Sequence, residues 1–446
     1  VGSILPPLGL CSLAAIAREA GHRVEMVDCY AEKLTAAQAA ERLVPCKPDC
    51  IGISATTEEI IPASKLAAIL RNRLPDTPII LGGVHVTSLP EATLERFPQF
   101  SLAVLGEAEA TFPELLAALA GKMPLNDVAG LAIRTTGGIS RTSPRPFLAD
   151  LDALPLPAFD LLPDLATYYT PAITNYRTLP ASGLVTSRGC PGQCTFCDRT
   201  VFGNHLRMLS APRILEQMRL LRDRYGMREI CFYDDTLVAH RSRLEELCNL
   251  LIAEPLGISW SCNARVNLVT PELLQLMGRA GCWQIAFGLE SGDQELLDRL
   301  CKGISLAEGE RAVQWAREAG LAVRAFFIIG LPGETTETLR RTEEYALRLP
   351  LDDIILEFFT PFPGTELYTD LLANGISLPD WGAMNTYCLS YVPKTVRAEE
   401  LETAFKRIIR RFYLRPRIVY GYLSRFRNPV TIWRLARSFV SFLVKG

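Results

Sequence analysis

The sequence predicts an α/β protein: a doubly wound parallel-sheet domain, then a second βα series forming an incomplete barrel, then a helical C-terminal region. Three observations carry this. From residue 8 to about 121, helical and strand periods alternate with short turns. From 183, a second series contains six strand-like stretches separated by helical ones. After about 376 the strands stop, and helical stretches rich in basic and aromatic residues take over.

In order, the first series reads as helix 8–20 ending at Gly21, strand 23–28, helix 36–43, strand 50–54, helix 58–74, strand 78–81, short strand 102–105 and helix 111–119. Ile51-Gly52-Ile53 and Pro78-Ile79-Ile80-Leu81 are apolar on both faces, as strands of a parallel sheet covered on each side must be. Between 122 and 180 the rhythm is lost. Gly137-Gly138 reads as a hairpin turn between strands near Leu131 and Ser140, and prolines then accumulate, so this stretch is expected to be a linker. The second series places strands near 183–187, 229–233, 258–262, 284–289, 323–329 and 353–359. The expected units are therefore 1–121, linker 122–180, barrel 181–375 and helical region 376–446. The chain begins at Val1, directly in front of Pro6-Pro7-Leu8-Gly9, and a strand preceding this turn is expected to be missing.

Composition narrows the function. The 446 residues suit two or three compact units. With 48% apolar and 22% charged residues and a net charge of −2, neither a disordered tail nor a general nucleic-acid binder is expected. There is no run of about 18 uncharged apolar residues and no signal-peptide pattern, so the expected compartment is the cytoplasm. Thirteen cysteines make an odd set, ten of them scattered through apolar or helical stretches, which speaks against a disulfide framework.

The other three form Cys190-Pro191-Gly192-Gln193-Cys194-Thr195-Phe196-Cys197, just beyond the first barrel strand, where βα loops gather catalytic groups. Structural zinc needs a fourth ligand, and the local candidates are Asp198 and His205, at spacings unlike a zinc knuckle. A 4Fe-4S cubane held by three thiolates would leave one iron open. The CxxxCxxC spacing with Phe196 before the last cysteine resembles the signature of the radical S-adenosylmethionine enzymes. That resemblance implies a partial (β/α)6 TIM-type barrel, cluster ligation by Cys190, Cys194 and Cys197, and S-adenosylmethionine chelated at the open iron. One electron from the cluster would cleave the sulfonium to methionine and a 5′-deoxyadenosyl radical, which must be shielded from water.

Further motifs close the later strands in barrel order. Phe232-Tyr233-Asp234-Asp235-Thr236 resembles the family stretch near the methionyl amino group, which brings Tyr233, Asp234 and Asp235 to the cofactor. Phe287-Gly288-Leu289-Glu290-Ser291-Gly292 does the same for Glu290 and Ser291, and Gly330-Leu331-Pro332-Gly333 offers Gly330 and Leu331 to adenine. Phe196 would belong to the same site. Each motif also has a plain reading: Asp235-Thr236 or Glu334-Thr335 can start a helix, and Gly-Leu-Pro-Gly is a turn. Arg265 reads equally as a carboxylate partner or a solvated charge.

In the first domain, Ser54-Ala55-Thr56 and Gly82-Gly83-Val84-His85 follow two strand ends, where open α/β sheets bind ligands. No GxGxxG occurs there, which disfavours a nicotinamide cofactor. The pattern resembles a cobalamin-binding domain, and Pro6-Pro7-Leu8-Gly9-Leu10 and Leu105-Gly106-Glu107-Ala108-Glu109 resemble the versions fused to radical S-adenosylmethionine barrels. The implied contacts are Pro7, Leu8, Ser54, Thr56, Gly82, Gly83, His85, Gly106 and Glu107, with His85 bonding the vitamin's periphery or local backbone. The Asp-x-His-x-x-Gly element that supplies an axial imidazole in many cobalamin proteins is not found, its place being expected in the missing start, and Ala108 stands where glycine is usual.

From Arg397 onward there are 12 Lys/Arg against 3 Asp/Glu, a local charge of +9. Two amphipathic stretches, 401–409 and 432–439, suit either an anionic membrane surface or a helical cap on the barrel. The resemblance implies either methylation of an unactivated carbon, with the methyl group carried on cobalt, or oxidative or ring-forming chemistry like that of the anaerobic cyclase of bacteriochlorophyll synthesis. The expected substrate is a lipid, terpenoid or tetrapyrrole, with flavodoxin or ferredoxin as reductant. A cobalamin-free barrel enzyme such as a methylthiotransferase, and a non-catalytic cobalamin or redox sensor, are the rival readings.

Overall fold

The structure, a computed structural model, describes residues 3–425. Its first sheet has five strands in the order β1 (Ile51–Ser54), β2 (Ile79–Gly82), β3 (Leu102–Val104), β4 (Leu131–Thr135) and β5 (Gly138–Arg141). Strands β1 to β3 are parallel, and β4 joins antiparallel to β3 with Ala103 opposite Ala132. The hairpin around Gly137-Gly138 is thus part of the first sheet, a structural role that composition could not give it within a stretch read as linker. Leu131 and Ala132 are fully buried because β4 covers what would otherwise be a bare apolar edge of β3.

Residues 23–28, expected as a strand, pair with no strand among the described residues. They run extended beside helix Leu8–Glu19, with Val24 and Met26 packed on Ala14 and Ala15. Alternating apolar residues show which face is buried, but a strand exists only where a neighbour supplies its hydrogen bonds. The free edge of β1 lies across a cleft from this segment.

The second sheet is parallel throughout, in the order β6 (Ala181–Leu184), β9 (Glu229–Phe232), β10 (Ser259–Ala264), β11 (Cys282–Glu290), β12 (Ala322–Ile329) and β13 (Asp353–Phe358). Between β6 and β9 a two-stranded ribbon, β7 (Ser187–Arg188) with β8 (Arg207–Met208), closes off a long loop. Six parallel strands in chain order form the expected incomplete barrel. Alternate side chains go outward: Ile230, Phe232, Trp260, Phe287, Val323, Phe327, Ile354 and Leu356 enter one core beneath the helices. The residues between them, including Tyr233, Asn263, Phe326, Ile328, Ile355 and Glu357, face the barrel interior and stay partly accessible.

The amphipathic stretch 401–409 belongs to helix Ala398–Tyr413. Its apolar face is already used: Leu401, Ala404, Ile408 and Phe412 are buried, and Phe405 stacks on Phe358 at 4.7 Å. Each large apolar side chain so buried contributes about 1.5–3 kcal/mol. Arg407 and Arg411 grip the buried Glu343 at 2.8 and 2.7 Å. Of the two readings offered for this stretch, the structure shows the helical cap on the barrel, with the apolar face already buried. The second stretch, 432–439, lies outside the described residues. No helix among the described residues is long and apolar enough to cross a membrane.

Candidate active site

The cysteine loop springs from the ribbon β7–β8. Gly189 turns it at φ +79°, where a side chain would overlap the His205 carbonyl. Thr195 N–H donates to the Leu300 carbonyl at 3.0 Å, stitching the loop to the segment that closes helix Gln294–Arg299. Cys190 is half-buried, Cys194 buried and Cys197 exposed, all as free thiols. Arg265 Nη1 stands 3.7 Å from Cys194 Sγ. It also stands 3.0 Å from the point where a Gly192 Cβ would be, itself 3.4 Å from Cys190 Sγ, so the guanidinium sits among the first two cysteines. With Cys197, Lys302 and Arg265 beside it, the Cys194 thiol is held below its usual value against the cost of burial. The neighbouring Cys194 and burial push Cys197 up.

Asp198, a candidate fourth zinc ligand, instead accepts from Ser88 Oγ at 3.2 Å and Thr200 N–H at 2.8 Å. Among the described residues no three His, Cys, Asp or Glu side chains converge on a single-ion position. A cubane makes no such demand, because each thiolate binds a different iron. Three thiols, two adjacent cations and no fourth donor are the set that an iron–sulfur cluster with one open iron would take.

At the strand ends the motif residues divide. Glu290 sits at φ +61°, where the register of β11 against β12 shifts, and this bulge turns its carboxylate onto Lys302 Nζ at 2.6 Å. Lys302 also lies 5.7 Å from the centre of the Phe196 ring. Leu331 is fully buried in a small apolar cluster against which Phe196 packs. Phe196, Arg265, Glu290 and Leu331 are therefore brought together around the cysteine loop. Gly330, at φ +83°, and Leu331 both point their N–H groups at Glu334, whose burial pushes its carboxyl up to about 8. Thr335, not Glu334, caps the following helix. Tyr233 lies inside the barrel, its hydroxyl accepting from Asn175 Nδ2 at 3.2 Å, and Gly183 makes room for its ring. Asp235 is exposed beside it.

Asp234 and Ser291 are used otherwise. Asp234 is fully buried and accepts from the Thr186 N–H and hydroxyl and from Ser187 Oγ, fastening β9 to the start of the cysteine loop. Ser291 Oγ meets Thr342 Oγ1 at 3.2 Å and accepts from Asp293 N–H, holding a turn. For these two the structure corrects the expected cofactor contact. A buried carboxylate already surrounded by donors has nothing left to offer. Sequence reasoning missed Lys302, because the fourth motif stops at Gly292 and nothing local marks a lysine ten residues on.

A cleft of about 1720 Å³ runs from the free edge of β1 to the end of β6. Pro7, Leu8, Ser54, Gly82, Gly83, Gly106 and Glu107 line it on one side; Leu184, Ser187, Arg188 and Phe202 line it on the other. Where a Cβ would stand at Gly52, Gly82 or Gly106 there is open space, so the backbone itself forms the wall. Such a wall lets a large planar ligand approach the sheet, and these residues fit a corrinoid. Gly83 is different: at φ +102°, an added Cβ would lie 2.5 Å from the Ala55 carbonyl oxygen. Gly83→Ala is expected to cost on the order of 1–3 kcal/mol and to weaken cobalamin binding in equilibrium dialysis, while Gly82→Ala remains as stable as the parent.

Thr56 and His85 are not brought to the cleft. Thr56 N–H and hydroxyl both donate to Glu59 in a helix-initiating turn. His85 is buried, with Nδ1 3.2 Å from Thr57 Oγ1 and its ring edge-on to Trp381 at 4.6 Å. The expected contact of His85 with the vitamin is corrected: helix Val84–Ser88 carries it into the domain junction. Burial, with the Arg96 charge nearby, lowers its pKa from 6.5 to about 4. The folded state therefore binds fewer protons than the unfolded chain between those values, and stability is full above pH 6.5 and falls as pH drops toward 4. His85→Asn should flatten that part of the melting-temperature profile.

The two domains are locked by four charges. Arg207 Nη1 reaches both Glu107 oxygens at 2.6 and 2.7 Å, and Glu107 also accepts the Leu148 N–H at 2.9 Å. Arg188 pairs with Glu109 and lies 3.3 Å from Glu107. Arg188 is two residues from Cys190, so the lock braces the cysteine loop against the wall of the cleft.

Comparison with known proteins agrees with this geometry. Residues 184–346 match the model of the radical SAM superfamily, and residues 1–116 match that of the B12 binding domain. A protein of Pyrococcus horikoshii named as an uncharacterized methyltransferase is 34% identical over 423 residues, covering 94% of this chain and 90% of that one. The chain belongs to the cobalamin-dependent radical SAM enzymes. The anaerobic magnesium-protoporphyrin IX monomethyl ester cyclase of Rubrivivax gelatinosus is 28% identical, covering 92% and 74% of the two chains. The solved structure of OxsB, a cobalamin-dependent S-adenosylmethionine radical enzyme, shares the fold with a TM-score of 0.76 at 19% identity, over 98% of this chain and 69% of that one. As a cobalamin-dependent radical SAM enzyme, the protein works with the three cofactors expected, a 4Fe-4S cluster, S-adenosylmethionine and cobalamin, on a small-molecule substrate. The cobalamin-free and sensor readings are set aside by the same matches.

Proposed function

We propose that the protein methylates a carbon of an apolar small molecule, with Cys190, Cys194 and Cys197 as cluster ligands. The supporting observation is that one cleft is walled by the strand ends of the first sheet and by the barrel start that carries the cysteine loop. When bound, the cluster supplies an electron to S-adenosylmethionine and cobalamin supplies a methyl carrier. Arg265, Glu290 and Lys302 place fixed charges where an amino-acid moiety would be oriented, and Gly330 with Leu331 offers an apolar backbone edge beside Phe196. Pro7, Leu8, Ser54, Gly82, Gly83, Gly106 and Glu107 form the corrin-facing wall. Phe326, Ile328 and Ile355, inside the barrel, supply an apolar surface for a lipid, terpenoid or tetrapyrrole. The reductant is an external flavodoxin or ferredoxin.

The methyltransferase name of the Pyrococcus relative favours methylation, and the Rubrivivax relative supports ring formation as the second reading. Anaerobically reconstituted protein given S-adenosylmethionine with a trideuterated methyl group decides between them. Methylation places the intact label in the product together with 5′-deoxyadenosine. A dehydrogenated or cyclised, unlabelled product overturns it.

A further inference from the structure

Lys302 is a buried lysine, a residue type that seldom leaves solvent without a partner. Its side chain is buried and its ammonium is paired to Glu290 at 2.6 Å. Its carbonyl is gripped by Arg265, the residue that also touches Cys194. The backbone holding it is specialised: Cys301 before it lies at φ +51° and Gly303 after it at φ +63°. Thr195, inside the cysteine motif, is hydrogen-bonded to Leu300 two residues upstream. On the barrel side, Gly288 leaves the space the pair needs, since a Cβ there would meet Lys302 Nζ at 2.7 Å and also strike Glu290. Glu290 itself is held in the left-handed region, at φ +61°, which a non-glycine residue adopts only when its surroundings require it. Several separate features thus converge to keep one ammonium beside Phe196 and the thiol loop.

We infer that Lys302, aimed by Glu290, is a positioning charge that sets how readily the cluster held by the three thiols accepts its electron. The inference rests on the proposed ligand set. An electron added beside a buried cation is stabilised, and an unbalanced buried anion does the reverse, because the medium screens both poorly. The charge of the pair therefore acts on the cluster even though neither residue is a ligand. Arg265 adds a second cation at Cys194, so the site is biased toward the reduced form.

The test is a dye-mediated redox titration of reconstituted protein without S-adenosylmethionine, following the reduced cluster by electron paramagnetic resonance alongside iron and sulfide analysis. Lys302→Met is expected to lower the reduced-to-oxidised ratio at fixed potential about tenfold, equivalent to about 59 mV for one electron. Glu290→Gln should raise the ratio, Lys302→Arg should stay near the parent, and the double variant K302M/E290Q should fall between the single ones. Opposite signs for the two single variants are the signature, since mere loosening of the loop would move both the same way. Variants with full iron and an unshifted ratio, or shifts of one sign, overturn the inference while leaving the ligand assignment standing. If Lys302→Met takes up no iron, the sign of the Glu290→Gln shift decides. Parent protein that takes up no iron overturns the ligand assignment itself, and the inference with it.

Discussion

Alanine at Cys190, Cys194 or Cys197, one at a time, is expected to abolish iron loading and 5′-deoxyadenosine formation in anaerobically reconstituted protein. A cubane on three thiolates already has one iron without a protein ligand, and a second such iron leaves the cluster bidentate and open to water. Loss of a supporting partner costs a metal site roughly 10–100-fold in affinity, and loss of a ligand must exceed that. Cys194 is the most sensitive of the three, because its thiol is buried and lies against Arg265. Cys46 and Cys388, both exposed and outside the motif, are the controls and should retain parental iron, sulfide and turnover when changed to alanine. Parental iron content in any one of the three motif variants would refute the assignment.

The second large effect lies at the domain junction. Glu107→Ala removes the carboxylate that holds Arg207, faces Arg188 and accepts the Leu148 N–H. The Glu107 side chain is 4% exposed and that of Arg207 10%, so the guanidinium is left in a poorly hydrated place without its counter-charge. Breaking a buried pair in this way costs about 3–5 kcal/mol, a large share of the 5–15 kcal/mol that typically holds a protein folded. Glu107→Gln keeps an acceptor for Leu148 and should lose less. Chemical denaturation checks the size of the effect, and limited proteolysis between residues 142 and 180 checks its location. If Glu107→Ala unfolds at the parental denaturant concentration, the lock is not structural.

Legibility from sequence followed distance along the chain. The cysteine motif was readable because its chemistry is contained in eight consecutive residues, and the strands of the second sheet because each carries its own alternation. Glu107 and Arg207 are 100 residues apart, and nothing local in either joins them. The same holds for Lys302, whose meaning comes from Glu290 and the cysteine loop. The segment 23–28 has a strand-like pattern, but pairing is a property of two segments. Asp234 and His85 show the converse error: a polar residue at a strand end reads as a ligand contact, whereas Thr186 and Thr57 had already claimed them. Buried polar groups must be satisfied somewhere, and one sequence does not say by whom.

The four-charge lock also bears on the order in which the enzyme matures. Glu107 and Glu109 are synthesised about 80 residues before the first arginine that neutralises them, and that arginine is followed at once by the cysteine motif. The thiol segment is therefore braced only once the first domain has docked against it. A barrel expressed without residues 1–121 would expose Arg188 and Arg207 unneutralised beside its nascent metal pocket, and should be recovered largely iron-free.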